Sequence, residues 1–253
     1  MGTVRVTDRS GGVRVLTLDR PPANAEDETL LGDLSSALDD AGADAAVRAV
    51  VLTGAGRFFS GGLDLSAPRR ENGEVAAMTT LFRDTHVKLL TLRKPTIAMV
   101  NGHAIAGGLI LVLGCDYRLG LDGEYKIGLN EVAIGASYPK VALEITRLRL
   151  THQRASELLL GAALYPASQA LRLGVVDELF PADKLEETVM RRAERMGAFP
   201  REAYAHTKLA LVAEMVGRVM AETPEEAARG AAIWQTAESR AARDKQREKL
   251  GKK

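Results

Sequence analysis

Two short runs ending in glycine constrain this chain more than any other feature. Arg48-Ala-Val-Val-Leu-Thr53 is closed by Gly54-Ala-Gly56, and Thr96-Ile-Ala-Met-Val100 by Asn101-Gly102. Runs this short, apolar and bounded by turn formers read as buried strands. A helical pattern precedes each one: Leu30, Leu31, Leu34 and Leu38 share a face before the first, and Val75 to Leu92 is helical before the second. Strand, helix and strand in this rhythm predict crossover units and an α/β fold.

The flanking sequence extends the pattern. Val4 and Val6 alternate with polar residues, Ser10-Gly11-Gly12 turns the chain, and Val13, Val15, Thr17 and Leu18 resume an extended pattern that Pro21-Pro22 ends. Ser66 to Glu74 reads as a loop. A helix is expected from about Gly107 to Cys115, with strand candidates at Asp116–Leu119 and Tyr125–Gly128. Beyond about residue 140 the pattern predicts almost wholly helical structure. Its segments are Thr151–Gly161, Ala167–Gly174, Asp183–Gly197, Arg201–Glu222 and one charged helix, Pro224–Lys253, with a solvated basic tail.

Composition excludes several classes. With 46% hydrophobic and 26% charged residues among 253, the chain is globular rather than disordered. Lys and Arg number 34 against 33 Asp and Glu, which argues against a nucleic-acid partner. The single Cys115 excludes an intrachain disulfide or a cysteine-cluster metal site. The first ten residues lack the apolar core of a secretory signal. The longest uncharged apolar run, Ala104 to Cys115, is well short of the roughly 20 residues that span a bilayer. A soluble, cytoplasmic protein without a membrane partner is expected.

Three glycine-containing segments stand out as sites for chemistry: Ser60-Gly-Gly-Leu-Asp-Leu65, Asn101-Gly-His-Ala-Ile-Ala-Gly-Gly108 and Gly128-Leu-Asn-Glu131. None is a phosphate loop, a dinucleotide fingerprint or a nucleophile elbow, and HExxH is absent. His86, His103, His152 and His206 sit in unrelated contexts, so no metal is expected. What such turns supply is backbone N–H groups, because glycine lets a ligand approach the main chain. The opening of a helix near Gly108 adds unpaired donors. Two converging amides can make an oxyanion hole.

Several ordered motifs together resemble the crotonase, or enoyl-CoA hydratase/isomerase, superfamily over essentially the whole chain. They are Asp19-Arg-Pro-Pro-Ala-Asn24, Val50-Val-Leu-Thr-Gly54, Phe58-Phe-Ser-Gly-Gly-Leu-Asp-Leu65, Lys94-Pro95, Asn101-Gly102, Gly107-Gly108, Cys115-Asp116 and Ala170-x3-Gly174-Val-Val176. The resemblance implies an α/β, crotonase-like spiral of ββα units over 1–197 and a C-terminal helical trimerisation region over 198–253. It implies a homotrimer or a dimer of trimers acting on acyl-CoA in fatty-acid β-oxidation. No cofactor is implied, since coenzyme A is part of the substrate. Leu63 and Gly107 take the positions whose amides form the oxyanion hole. Asn24, Ala25, Gly62, Asp64 and Leu65 match the stretches that embrace CoA, and Asp116 looks structural.

The departure from the hydratases is Ile110, which stands where they carry one of two glutamates; Glu131 keeps the other. Tyr117-Arg118, Gly128-Leu-Asn-Glu131 and Pro21-Pro22-x-Asn24 look like the mitochondrial-type Δ3,Δ2-enoyl-CoA isomerases, which use one glutamate at the Glu131 position. Moving a double bond needs one base on one face, whereas hydration needs groups for both water and proton. Ile110 is expected to look into the site, and apolar Val132, Ala133 and Ile134 to desolvate Glu131 and raise its pKa. Glu144 is expected at the surface or in a cap, and Lys208 in solvent or near CoA phosphates. His103 is expected to line the pocket or hold structure; Tyr204, Phe199 and Trp234 are expected to pack. A hydratase or another crotonase-type acyl-CoA enzyme, and an acyl-CoA-binding protein without turnover, are the alternatives.

Overall fold

The structure, a computed structural model, describes residues 2–64 and 72–251. β1 (Val4–Arg9) and β2 (Val13–Leu18) form an antiparallel hairpin that pairs Val4 with Leu18 and Arg9 with Val13. α1 (Glu28–Ala43) follows, capped by Asp27, whose carboxylate accepts the Leu30 N–H at 2.8 Å. Three two-strand units come next. β3 (Ala49–Gly54) and β4 (Phe58–Ser60) lead to α2 (Asn72–Thr91). β5 (Thr96–Val100) and β6 (His103–Ile105) lead to α3 (Gly107–Gly114). β7 (Tyr117–Leu121) and β8 (Lys126–Gly128) lead to a 3-10 turn at Val132–Ile134. After these come α4 (Lys140–Arg149), α5 (His152–Gly161), β9 (Leu164–Pro166), α6 (Ala167–Leu173), β10 (Glu178–Phe180), α7 (Ala182–Gly197), α8 (Arg201–Met220), α9 (Pro224–Trp234) and α10 (Ala237–Gly251).

The first strand of each unit joins a six-stranded sheet of order β1-β2-β3-β5-β7-β10. The second joins a four-stranded sheet of order β4-β6-β8-β9. This is the expected α/β spiral of ββα units. β3 is buried on both faces, as a central parallel strand must be. Its alternation sends Val50 and Leu52, with Leu16, Leu18, Ala98 and Val100, into a core shared with α1, α2 and α3. Ala49 and Val51, with Val13, Val15 and Ile97, pack instead on Leu185, Val189 and Ala193 of α7. α8, the first helix after residue 197, packs on α2 and α4 and adds Val212, Met215 and Val219 to the larger core.

Three expectations need correction. The half beyond residue 140 also contains β9 and β10, each three residues long and too short to show a period of two. The final helix is two, because the Thr236 hydroxyl accepts the Ser239 N–H at 3.1 Å and starts α10 afresh. α2 begins at Asn72, inside the stretch read as a loop, and residues 66–71 of that stretch lie outside the described ones. Cys115 is fully buried just past α3, where burial and then the Asp116 charge push its thiol up to about 12. Among the described residues no helix is long and apolar enough to cross a membrane.

Candidate active site

The spiral builds the site by repetition. β4, β6 and β8 lie side by side and parallel, and a candidate residue follows each: Leu63, Gly107 and Glu131. The Ile105–Gly128 pairing and the Ala106 N–H bonded to Gly128 O at 2.9 Å fix the last two relative to each other. Leu63 is brought against Gly107 by Gly62. Its φ of +80° suits glycine, and a Cβ there would meet Ala106 Cβ at 2.7 Å and Gly107 N at 2.9 Å. Ala106 turns the chain into α3 with φ 53° and ψ −126°, a rare conformation for a residue with a side chain. The sequence-chosen oxyanion pair is therefore juxtaposed.

Glu131 is partly buried, and its Oε2 has no hydrogen-bond partner. Burial pushes its pKa up to about 7, opposed by its own and Asn130's backbone N–H groups and by the Tyr138 hydroxyl. The direction agrees with expectation, but the source differs. Val132 is 48% exposed and Ala133 is exposed, so of the three flanking apolar residues only Ile134 is buried. Tyr138 lies beside the carboxylate instead, its single hydroxyl proton shared between Glu131 and Leu159 O, the latter 3.0 Å away.

Asn24, Ala25 and Asp64, three of the predicted CoA-embracing residues, gather around Arg20, which sequence reasoning passed over. Its guanidinium meets Asp64 at 2.7 Å, Asp27 at 2.9 Å and Ala25 O at 3.3 Å. Asn24 is buried, donating to Ala55, Phe58 and Phe59 carbonyls and accepting the Arg20 N–H at 3.0 Å. Its side chain thus ties β4 to the segment before α1. Ile110 is fully buried within the larger core, and Leu65 lies outside the described residues.

A second carboxyl was missed. Glu26 is fully buried, and burial pushes it up to about 8, with the Ser60 hydroxyl opposing and the Glu131 charge adding. In the sequence it opens the acidic run Glu26-Asp27-Glu28, which looks like the ordinary start of a helix.

Two expectations are overturned elsewhere in the fold. Glu144 is buried rather than at the surface, because Arg147 at 3.0 Å and Arg218 at 2.7 Å neutralise it. Lys208 is buried rather than in solvent, pairing with Asp116 at 2.8 Å. Asp116 is structural as expected, also accepting from the Tyr204 hydroxyl at 2.9 Å and the Thr96 N–H at 2.9 Å. His103 stacks on Phe58 with ring centres 4.7 Å apart and accepts the Lys126 N–H at 3.0 Å. Trp234 packs under Arg243, while Phe199 is 41% exposed. Among the described residues no group of His, Cys, Asp or Glu is arranged to hold a metal.

Two glycine turns brought together and a desolvated carboxylate are the furnishings of an acid–base site. The comparisons give that class its family. The enoyl-CoA hydratase/isomerase family model matches residues 8–251, and the chain belongs to this family. A Mycobacterium avium protein named as a probable enoyl-CoA hydratase is 32% identical over 202 residues, covering 79% of this chain and 78% of that one. Human mitochondrial enoyl-CoA delta isomerase 1 is 29% identical over 204 residues, 79% of this chain and 68% of that one. A crystal structure of human mitochondrial Δ3,Δ2-enoyl-CoA isomerase superposes with a TM-score of 0.94 at 26% identity, covering 99% and 98% of the two chains.

Proposed function

We propose that this family member is a Δ3,Δ2-enoyl-CoA isomerase with Glu131 as the proton shuttle and the Leu63 and Gly107 amides as oxyanion hole. The observation that carries the reading is a desolvated carboxyl at 131 with no carboxyl at Ile110, where only apolar core is found. Ionised Glu131 takes a proton from C2 of a 3-enoyl thioester. The electron pair moves into a dienolate whose negative oxygen rests on the two amides. Glu131, now neutral, returns the proton at C4, and the double bond stands at C2. No water is consumed. Since Glu131 must start ionised, the rate should rise with pH through about 7. The likeness to the human isomerase over nearly the whole chain supports this choice.

Hydration is the competing reading, because relatives also carry hydratase names and Glu26 supplies a second carboxyl. Giving the protein 3-enoyl-CoA and 2-enoyl-CoA separately divides the two. The isomerase reading expects fast double-bond migration and slow water addition; hydration as fast as migration would overturn it. The same reading assigns α9 and α10 to contacts within a homotrimer or pair of trimers, and α9 has no buried residue.

A further inference from the structure

Glu26 asks for an explanation, because a buried carboxyl with an unpartnered oxygen destabilises a fold unless it has a task. Its backbone is bonded to the segment that carries one oxyanion amide. Glu26 N–H donates to Gly62 O at 2.8 Å, and Asp64 N–H donates to Glu26 O at 3.0 Å, placing it beside Leu63. Its carboxyl reaches the residue that carries the other. A Cβ built on Gly107 would lie 2.3 Å from Glu26 Oε2 and 2.9 Å from its Cδ, so the carboxyl fills the space a side chain at 107 would need.

Neither oxygen is well served by the protein. Ser60 Oγ is 3.4 Å from Oε1, but its single proton goes to Asn24 O at 2.8 Å, and it also accepts the Gly62 N–H at 3.1 Å. Oε2 has no partner. Among the described residues the charged groups of this corner do not compensate an anion. Arg20 is engaged with Asp27 and Asp64, and His86 of α2, buried against the Gly107 carbonyl, is held neutral with its pKa down to about 4. Glu131 adds a like charge. The acid form is what this place accommodates.

We propose that Glu26 is a third donor of the oxyanion hole, a carboxylic acid whose Oε2–H is directed at the thioester oxygen of bound acyl-CoA beside the Leu63 and Gly107 amides. This rests on the isomerase reading for the charge it meets. When Glu131 takes the C2 proton, negative charge moves from its carboxylate to the thioester oxygen, and a neutral donor there strengthens as that charge develops. The Glu26 proton stays on Glu26 throughout. A donor of this kind fails once ionised, so the rate should fall as pH rises through about 8, opposite to the rise through about 7 from Glu131.

Two variants and one spectrum test it. Glu26→Leu should lower isomerisation by roughly 10²–10³, as losing an oxyanion donor does, with a larger effect on kcat than on KM. Its thermal midpoint should hold or rise, because an unpaired carboxyl has gone. Glu26→Gln keeps a donor of similar shape, so it should recover most of that loss and abolish the alkaline fall. Wild-type rate in a folded Leu variant, or an alkaline fall that persists in the Gln variant, would overturn the proposal. Infrared difference spectra of the wild type with hexanoyl-CoA need no turnover. The neutral-carboxyl stretch lost in Glu26→Gln should shift on binding, and an unshifted band refutes the contact. A shifted band in a protein that does not isomerise 3-enoyl-CoA would uphold Glu26 and overturn the isomerase reading alone.

Discussion

Two carboxylate centres in this molecule are furnished in opposite ways. Asp116, at the start of β7, holds Lys208 at 2.8 Å and has Arg149 3.9 Å away, with hydrogen bonds from Tyr204 and Thr96. Nearby, Asp177 pairs with Arg118. Among the described residues no cation pairs with Glu26 or Glu131, past the other ends of the strands, and one oxygen of each has no partner. Cations and donors gathered around a carboxylate tie it into the fold, which fixes structure. Withholding them brings the carboxyl to the edge of neutrality, where it can carry or offer a proton.

The largest break in this contrast should come from Glu131→Gln. Turnover of a 3-enoyl-CoA should drop by roughly 10²–10⁴, the usual worth of a positioned base, while acyl-CoA binding by calorimetry persists. The residual rate should lose the rise through about pH 7 that the wild type shows. A variant with most of its activity would remove Glu131 from the mechanism.

Lys208→Met should act on the other centre alone. It leaves Asp116 buried without its nearest cation, a change that typically costs about 3–5 kcal/mol. Urea unfolding should record that loss while kcat per folded molecule stays at the wild-type value. Equal falls in activity and stability would mean that the two centres are not separable.

The smallest effect is expected from Ile110→Glu, which places a third unpaired carboxyl near the site. Ile110 is fully buried, so stability should fall by about 1–3 kcal/mol unless the new group stays protonated or finds a donor. Hydration of a 2-enoyl-CoA should rise above the wild-type rate yet remain below isomerisation, since a water must also be positioned. No gain in hydration from a folded variant would show that the missing carboxyl at 110 is not what limits water addition.

The sequence revealed the elements with strong periods and the residues fixed by glycine. β3, β5, α1 and α7 lie close to where alternation and caps put them, and Leu63 and Gly107 are adjacent because Gly62 admits no side chain. What stayed hidden depends on partners far along the chain. Glu144 and Lys208 look like surface residues until Arg218 and Asp116 arrive beside them. Glu26 is invisible for the opposite reason: acidic neighbours make it look solvated, and only the closure of Gly62 against Gly107 buries it. The strands β9 and β10 owe their form to pairing with β8 and β7 rather than to three residues of local preference.

The burial of Cys115 gives the molecule an internal clock. A thiol with no exposed surface and a pKa near 12 presents almost no thiolate to an alkylating reagent while the fold is closed. Modification must then wait for the core around α3 to open, so the labelling rate in native buffer reports how often that part of the core opens. Gly107, where we propose that a thioester is held, is only eight positions earlier in sequence, and the same closure would keep the chain's one thiol from exchanging with it.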